Sequence, residues 1–533
     1  MRAGRAMNNM ATREGMAVPV LGSTQIGQPS ARAGRSHSYG QILKSSAVIG
    51  GASVLKIGVG IIRSKAMAVL LGPEGFGLMG LFSSVADLAQ SIAGMGINSS
   101  GVRQIAAAAG SGEDAEVART AIVLRRTARF LGIFGALLLL VLSRPVSFLT
   151  FGTYDRAGGV ALLSVAVLFG SIAGGQTALI QGMRRIGDLA MMGVLGAVFG
   201  TAVAIPLVYF FGQDGVVPSL VAAAGMSILT SWWYSRRIKV EAMRLSWAQV
   251  WGEASGLLKL GFAFMASGLL TLGAAYAIRI LVVHKLGLGA AGLYQSAWTL
   301  GGLYVGFILQ SMAADFYPRL TAIAGDDREC NRLVNEQAQI SLLLAGPGII
   351  GTLTLAPLVI FVFYSSKFDA AVGILRWLCF GSALQVIAWP MGFIVLAKGA
   401  QKIFFWTEVA ATVVQVGLAW ILVAHFGLAG AGAAFFGLYV WHGLLIYFIV
   451  RRLSGFRWSG ANKRTGLFVI SLIAGVFCGF YAFPFWVASA LGLAATLVSG
   501  VYSLRVLLHL VSADRIPRPI RRLLVWSRLL SAE

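Results

Sequence analysis

Five cations lie inside apolar segments that are long enough to cross a membrane. Lys56, Arg63 and Lys65 fall within the stretch VLKIGVGIIRSK. Arg279 falls within the apolar run 260–283, and Arg376 lies near the outer end of the run 371–397, where an interfacial position also explains it. A cation at the centre of a bilayer costs about 2.5–3.5 kcal/mol on insertion scales, so such residues normally face a wet cavity or a partner. On a helix Lys56 and Arg63 share one face, whereas Lys65 points to the other side. The positions of these cations therefore indicate that they have a specific role inside the membrane.

Two interpretations of these cations remain open. The intramembrane acids are few, chiefly Asp87 and Glu408, so ion pairing alone does not account for every cation. The cations either line a cavity that binds an anion, or they pair with those acids and extend to the interface. An anion-binding cavity would suit phosphate or diphosphate, because a guanidinium group holds phosphate oxygens with two parallel hydrogen bonds. Asp87 and Glu408 are candidates for coupling transport to an ion.

The composition is that of a polytopic membrane protein. Of 533 residues, 57% are hydrophobic and only 12% are charged, and the mean hydropathy is +0.79. The formal charge of +23 comes from short Lys and Arg clusters between apolar runs, which argues against a nucleic-acid partner. The three cysteines have no paired spacing, so neither a disulfide framework nor a metal site is expected.

About fourteen apolar runs reach the roughly 20 residues that a spanning helix needs. They lie near 46–70, 75–97, 128–151, 158–181, 189–212, 215–234, 260–283, 290–312, 340–364, 371–397, 404–425, 428–450, 465–485 and 487–508. With a cytoplasmic N-terminus, 34 of the 43 Lys and Arg residues fall in inner gaps and four fall in outer gaps. Since cytoplasmic loops are enriched in Lys and Arg, both termini are predicted to be cytoplasmic. The outer gaps are too short for a catalytic domain.

A shift of 215 residues aligns the first half of the chain with the second half without a gap. Lys44 then meets Lys259, and Gly72 meets Gly287. Coincidence among abundant Gly and Leu residues is the alternative explanation. The shift spans six predicted helices, an even number, so the copies run in the same direction and are parallel repeats.

We therefore predict an all-α polytopic membrane protein with about fourteen transmembrane helices. Two six-helix lobes, 38–240 and 241–455, are expected to be related by pseudo-two-fold symmetry and to bind substrate between them. Residues 1–37 are rich in Gly, Ser and Arg and predict a disordered basic cytoplasmic tail. Residues 456–533 add an extra helix pair and a second basic tail.

Five stretches resemble one family of membrane proteins. They are VLKIGVGI (54–61), LGPEGFGLMG (71–80), GLYQSAWTLGGLYVGFILQSMAADFYPRLTAI (292–323), YSSKF (364–368) and VLAKGAQKIFFWTEVA (395–410). In this order they resemble the Wzx-type translocases of O-antigen and enterobacterial common antigen. These translocases form the polysaccharide branch of the MOP superfamily, which also contains MurJ and the MATE exporters. The chain departs from that family by two extra predicted spans and a long basic N-terminal tail.

The resemblance implies a two-lobed flippase in the bacterial inner membrane. Its substrate would be undecaprenyl-pyrophosphate-linked oligosaccharide, an O-antigen or exopolysaccharide repeat unit, moved from the cytoplasmic to the periplasmic leaflet by alternating access. The resemblance implies membrane lipids as surroundings, a polysaccharide polymerase and a chain-length regulator as partners, and no cofactor. Lys56, Arg279, Lys367, Lys398 and Glu408 fall on its matching positions as candidate site residues.

Two aromatic residues complete the candidate site. Tyr294 and Trp298 are four positions apart on one helix face and are candidates for stacking on a sugar ring. An aromatic belt at the membrane interface is the alternative explanation. With no P-loop motif in the chain, the membrane potential is the expected source of energy for export.

Three other classes of protein make different demands on the sequence. A MATE-like cation-coupled exporter of small molecules would have the same lobes, but its cavity would be dominated by carboxylates. A membrane-embedded polymerase or glycosyltransferase would need a large external loop or an acidic metal motif, and the sequence has neither. A non-transporting scaffold for polysaccharide machinery remains an alternative.

Overall fold

The computed structural model describes residues 31–241 and 243–510, and these residues form helices and turns without any β-strand. The helices are α1 (Ala31–Gly94), α2 (Ile97–Ser111), α3 (Asp114–Val141), α4 (Ser143–Phe151), α5 (Ala157–Gly182), α6 (Ile186–Phe211), α7 (Val216–Ser235), α8 (Trp247–Leu286), α9 (Leu288–Ala322), α10 (Asp327–Thr354), α11 (Ala356–Phe363), α12 (Ala371–Ala397), α13 (Gln401–Phe426), α14 (Leu428–Ser454), α15 (Gly460–Ala482) and α16 (Phe485–Leu510). The predicted all-α class is confirmed.

Two compact units divide the chain, Met1–Val48 and Ile49–Glu533. Most of the predicted N-terminal tail, residues 1–30, lies outside the described residues, as does the C-terminal tail from residue 511. The backbone is helical from Ala31, so α1 begins inside the segment that was predicted to be a tail. All features discussed below belong to the second unit.

Each predicted apolar run overlaps a helix or a bent pair of helices. By length and composition, eight helices in the described part of the chain are able to cross a membrane, or ten if each of two bent pairs is one span. The bent pairs are α3–α4, at 64°, and α10–α11, at 81°. One of the eight joins α6 and α7 over 50 residues, more than twice the length that one crossing needs. The chain is a multi-pass membrane protein, and the count of fourteen stays a prediction.

Two glycines interrupt the helices at matching points of the sequence repeat. Gly72 has φ 65° and ψ −174°, and Gly287 has φ 88° and ψ 174°. A positive φ combined with an extended ψ is essentially restricted to glycine, since a Cβ clashes with the backbone there. Pro73 follows the first break and has no N–H to donate. As a result α1 kinks at Gly72, and α8 ends immediately before Gly287.

The backbone repeats at the spacing of the sequence repeat. Helices α6 and α13 begin at Ile186 and Gln401 and end at Phe211 and Phe426, in both cases 215 residues apart. Three pairs of residues with positive φ have the same spacing: Gly72 and Gly287, Arg184 and Gly399, and Gly212 and Gly427. Chance similarity of composition does not explain turns that recur at one spacing. The two halves therefore share local structure, while the symmetry of complete lobes stays a prediction.

The backbones of the two halves are in contact where α1 kinks. A Cβ added at Gly292 would lie 1.8 Å from the carbonyl oxygen of Pro73, and one at Gly77 would lie 2.3 Å from the carbonyl oxygen of Leu288. Only a hydrogen fits in such a space, so the backbones of α1 and α9 are in contact. In the predicted topology this is the outer end of the bundle, which is closed in this structure.

Aromatic and charged contacts support the same closure. Phe76 of α1 packs edge-on against Tyr364 and Phe368, with ring centroids 5.4 and 5.7 Å apart. The Nζ of Lys65 donates to the carbonyl oxygen of Val362, at 2.6 Å, near the carboxyl end of α11. A cation is favourable at that end of a helix, where the carbonyl groups lack partners. Lys65 is thus bound to the backbone of the second half of the chain.

The extra helix pair packs against α10. A Cβ added at Gly346 of α10 would lie 2.9 Å from Cγ1 of Val469 in α15, and one at Gly492 of α16 would lie 2.4 Å from Oγ1 of Thr354. These close approaches attach α15 and α16 to the second half of the chain. The pair is part of the helical bundle.

Candidate functional site

Arg279 links the two halves of the chain through neutral partners. Its Nε donates to Oε1 of Gln295 on α9 at 2.7 Å, and its Nη1 donates to Oγ of Ser84 on α1 at 3.0 Å. The Ser84 hydroxyl donates to the carbonyl oxygen of Gly80, at 2.7 Å, so its lone pairs are free to accept. A guanidinium group has five N–H donors, and these two bonds leave three of them for a ligand. The charge of Arg279 is not neutralised by a hydrogen-bonded carboxylate.

A polar cavity begins one helical turn from Ser84. Asp87, Ser91 and Gly94 follow on α1 at helical spacing and line a cavity of about 410 Å³ together with Asn98 of α2. Asp87 is exposed and has no hydrogen bond or ion pair within the part of the chain that the structure describes. It is close enough to Arg279 for their charges to attract without a direct contact. The cavity thus lies beside a cation and a free carboxylate.

An apolar groove adjoins this cavity. The groove has a volume of about 570 Å³ and is formed by α1, α3, α4 and α8, with Ile92, Phe134, Leu138 and Trp251 among its walls. Met265 of α8 lines both the groove and the polar cavity. A ligand with a polar head and a long apolar tail would match this pairing of sites, because each part would meet surroundings of its own polarity.

Lys56 and Arg63 have no partner in the described residues. Neither side chain makes a hydrogen bond or an ion pair there, and neither lines the two cavities to which α1 contributes. Lys56 is exposed beside α6, where a Cβ added at Gly193 would lie 3.3 Å from its Cδ. A cation that binds an anionic ligand must not be neutralised by a carboxylate, and Lys56 and Arg63 meet this condition within the described residues. The convergence of these cations with Arg279 stays a prediction.

The other two predicted lysines lie at opposite ends of the second half. Lys398 has its Nζ 2.5 Å from Oδ1 of Asp327 and donates to the carbonyl oxygen of Ala324 at 3.0 Å. It therefore joins the end of α12 to the start of α10. Lys367 lies in the short turn Ser366–Phe368, is exposed, and has no hydrogen bond or ion pair among the described residues.

The predicted aromatic pair faces the protein interior in this conformation. Tyr294 is only 2% exposed and belongs to the main hydrophobic core. Its ring centroid lies 5.9 Å from that of Trp298, which packs edge-on against Phe435 at 5.3 Å. A buried tyrosine does not form part of a lipid-facing belt, and a sugar reaches this ring only if the outer end of the bundle opens.

Glu408 shares a second cavity with a residue that the sequence analysis did not select. A cavity of about 220 Å³ is lined by Glu408 of α13 and His442 of α14, with Trp389 of α12. The Nδ1 of His442 is buried without a hydrogen-bond partner, and Glu408 has none within the described ranges. His442 lies in the apolar run 428–450, and an ionisable residue in such a run is itself a functional signal.

These features define a class of protein. Helices that span a membrane, a polar cavity between the halves beside charges without a direct ion pair, and an adjoining apolar groove are the elements of a multi-pass membrane transporter. The chain belongs to the polysaccharide biosynthesis protein family, whose sequence pattern matches residues 66–373, more than half of its length. The resemblance read from the sequence motifs is confirmed.

Relatives of known function are transport proteins and not enzymes, as predicted. The chain is 25% identical over 413 residues to the lipid III flippase of Escherichia coli (strain K12), covering 75% of this chain and 95% of that protein. Among solved structures, the lipid II flippase MurJ in an inward closed conformation superposes with a TM-score of 0.63 at 14% identity, covering 87% of this chain and 99% of MurJ. An inward-facing MATE family transporter of the MOP superfamily gives a TM-score of 0.63 at 17% identity, covering 74% of this chain and 94% of the transporter. These structures share the fold of this chain.

Proposed function

We propose that this protein is a flippase that moves a polyprenyl-diphosphate-linked oligosaccharide from the cytoplasmic to the periplasmic leaflet of the bacterial inner membrane. The observation that carries the proposal is Arg279, a cation with free donors held between both halves by Ser84 and Gln295. Its position beside a polar cavity that joins an apolar groove supports a lipid substrate with an anionic head. The lipid III flippase and MurJ, to which this chain is similar, are flippases, and this similarity supports the same class of substrate.

The chain is proposed to work as two six-helix lobes with about fourteen spans and both termini in the cytoplasm. The recurring turns and the matched bounds of α6 and α13 support this arrangement. In it, α15 and α16 support the second lobe, and the lobes alternately open inward and outward around the substrate. The contacts of Gly77 with Leu288 and of Gly292 with Pro73 then close the outer gate and separate during export.

Each part of the substrate has proposed partners. Arg279 binds the diphosphate, and Lys56 and Arg63, which have no partner in the described structure, approach it as the lobes move. The isoprenoid chain lies in the groove of α1, α3, α4 and α8, because Met265 lines both the groove and the polar cavity. On outward opening, Tyr294 and Trp298 become available for stacking on the C–H face of a sugar ring.

The remaining predicted residues act at the two ends. Lys367, exposed near the outer end, would meet the diphosphate as it leaves. Lys398 and Asp327 form an ion pair at the inner end that would hold α12 and α10 together while the inner side moves. A polysaccharide polymerase and a chain-length regulator would act on the exported product.

We expect flipping to respond to membrane voltage. A diphosphate carries about two negative charges, and each is stabilised by about 2.3 kcal/mol per 100 mV when it moves outward, because the inside-negative potential drives anions out. In proteoliposomes, export of a labelled polyprenyl-diphosphate oligosaccharide should accelerate when an inside-negative potential is imposed. A polyprenyl glycoside without phosphate is the control and should show no response to voltage. Export at the same rate with and without the potential would refute this source of energy.

Glu408 and His442 are proposed to couple transport to protons. Both are without a hydrogen-bond partner in the same cavity, so a proton or ion bound there is stabilised by otherwise unsatisfied groups. We expect Glu408→Gln to abolish any acceleration of flipping by a pH gradient while leaving the response to voltage intact. Asp87→Asn, which changes the other unpaired acid, tests the alternative coupling site in the same assay. Full pH-gradient stimulation in both variants would exclude both carboxylates.

A further inference from the structure

A second cationic site lies at the predicted cytoplasmic end of the first half. Arg125 and Arg129 of α3, together with Arg236 after α7, line a cavity of about 180 Å³. Gln176 of α5 contributes a polar wall, and no carboxylate is among the residues that line this cavity. None of these residues belongs to the site around Arg279. Three guanidinium groups thus share one small space.

The repulsion between these cations has no local compensation. Arg125 and Arg129 are one helical turn apart, a spacing at which like charges are destabilising. Arg129 has no hydrogen bond or ion pair within the described ranges, and Arg125 reaches only the carbonyl oxygen of Ser235, at 3.5 Å. The guanidinium of Arg236 lies 3.8 Å from the ring centroid of Trp233.

Two acids near this part of the chain are already bound to other arginines. Glu253 pairs with Arg119, and Asp188 lies 3.4 Å from Arg185 and 3.6 Å from Arg237. The charge of the cavity is therefore available to a ligand. A cluster of three arginines is the side-chain set that most favours phosphate oxygens, because each planar guanidinium offers paired donors.

The position of the cavity fits the surface of the inner leaflet. In the predicted topology the first half of α3 and the end of α7 are cytoplasmic, and Arg129 lies at the edge of the apolar run 128–151. Trp232 and Trp233 are 50% and 48% exposed beside it, and tryptophan is enriched at the level of lipid headgroups. A lipid phosphate at this level is within reach of all three arginines.

We propose that Arg125, Arg129 and Arg236 bind the phosphate group of an anionic lipid at the cytoplasmic surface of the membrane. The chemistry is shared by a bulk phospholipid such as phosphatidylglycerol and by the diphosphate of a polyprenyl lipid. The site requires the predicted orientation of the helices but not the transport reaction, so binding is measured without a flipping assay. A bound headgroup would relieve the repulsion within the cluster and tie α3 to α7.

The test compares lipid binding to the purified full-length protein by native mass spectrometry. Phosphatidylglycerol, phosphatidylcholine, a polyprenyl diphosphate and inorganic phosphate are titrated separately. Removing two arginines with Arg125→Gln and Arg129→Gln should weaken binding of the anionic lipid by about 30-fold, since each basic residue near an anionic surface contributes about fivefold. Arg119→Gln and Arg237→Gln, which remove arginines paired with Glu253 and Asp188, are the matched controls and should stay within about twofold of the unchanged protein.

The two lipid arms identify the source of the phosphate. If the double variant loses more affinity for phosphatidylglycerol than for polyprenyl diphosphate, the site binds bulk phospholipid. If it loses more affinity for polyprenyl diphosphate, the site binds the transported lipid. Either result supports the proposal. Equal binding of phosphatidylcholine and phosphatidylglycerol, or equal loss in the control variants, would overturn it. If the double variant fails to fold, the exposed Arg129 provides the test alone: Arg129→Gln should weaken binding and Arg129→Lys should retain most of it.

Discussion

Replacing Arg279 with glutamine is expected to lower the initial rate of flipping by roughly 10- to 150-fold. A hydrogen bond to a charged group contributes about 1.5–3 kcal/mol, and this substitution removes the guanidinium group that is proposed to bind the diphosphate and that Ser84 and Gln295 hold in place. Glutamine keeps a polar side chain, so the packing between α1, α8 and α9 changes little. Movement of a labelled polyprenyl-diphosphate oligosaccharide between the leaflets of proteoliposomes, normalised to inserted protein, measures the effect.

Two control variants separate binding from folding. Arg279→Lys keeps the charge but loses the planar arrangement of donors, so its rate should fall between those of the unchanged protein and Arg279→Gln. Arg376→Gln removes another arginine from an apolar helix, one that lies over the ring of Phe480 with its guanidinium carbon 3.5 Å from the centroid. That variant should lose thermal stability but retain flipping per folded molecule. Equal rates in the unchanged protein and Arg279→Gln would contradict the proposed site.

Replacing Gly292 with valine is expected to prevent the outer end from closing. The Cβ alone would lie 1.8 Å from the backbone oxygen of Pro73, and a backbone atom cannot rotate away. Overpacking typically costs about 1–3 kcal/mol, which shifts an equilibrium between closed and open forms by roughly 5- to 150-fold. Tyr364 is 1% exposed in the closed form, so a cysteine placed there should become reactive toward a membrane-impermeant maleimide.

The labelling experiment has a matched control on the same helix. At Gly289 an added Cβ would meet only Cγ of Glu74, at 3.5 Å, so Gly289→Ala should leave the closure unchanged. The exposed Cys478 is first replaced by serine, since Cys330 and Cys379 are buried. Gel filtration and thermal unfolding confirm that each variant is folded. Unchanged labelling in a folded Gly292→Val protein would show that this contact is not a gate.

Much of the fold was predictable because its determinants are local. Apolar runs of spanning length coincide with helices, and the shift of 215 residues that aligned Gly72 with Gly287 recurs in the backbone as matching breaks. Exact helix ends were less predictable. Polar residues at the start of α3 and α10 do not reveal how far a helix extends beyond the membrane, and the bends of 64° and 81° follow no apolar pattern.

The candidate site was predictable in its cations but not in their partners. Arg279 was selected because a charge in an apolar run is costly, and this reasoning needs no knowledge of neighbours. Ser84 gives no such signal, because serine is common in membrane helices and its role depends on a contact with a residue 195 positions away. Tyr294 was selected as a sugar-stacking candidate, with an interfacial belt as the alternative, and the sequence did not reveal its burial, since the packing of α9 against the core decides which face points inward.

The second cationic site could not be predicted from the distribution of charges along the sequence. The arginines at 125, 129 and 236 were assigned to inner gaps and explained by orientation in the membrane alone, which is the usual reason for such clusters. Only the structure shows that residues from α3 and from the end of α7 line one cavity while the nearby acids are bound elsewhere.

The most direct test of the proposed function is a structure of the protein with bound polyprenyl-diphosphate oligosaccharide. We expect diphosphate oxygens within hydrogen-bonding distance of the Arg279 guanidinium and the isoprenoid chain in the groove that Met265 helps to line. A structure in which Arg279 contacts only Ser84 and Gln295, with the lipid bound elsewhere, would contradict it.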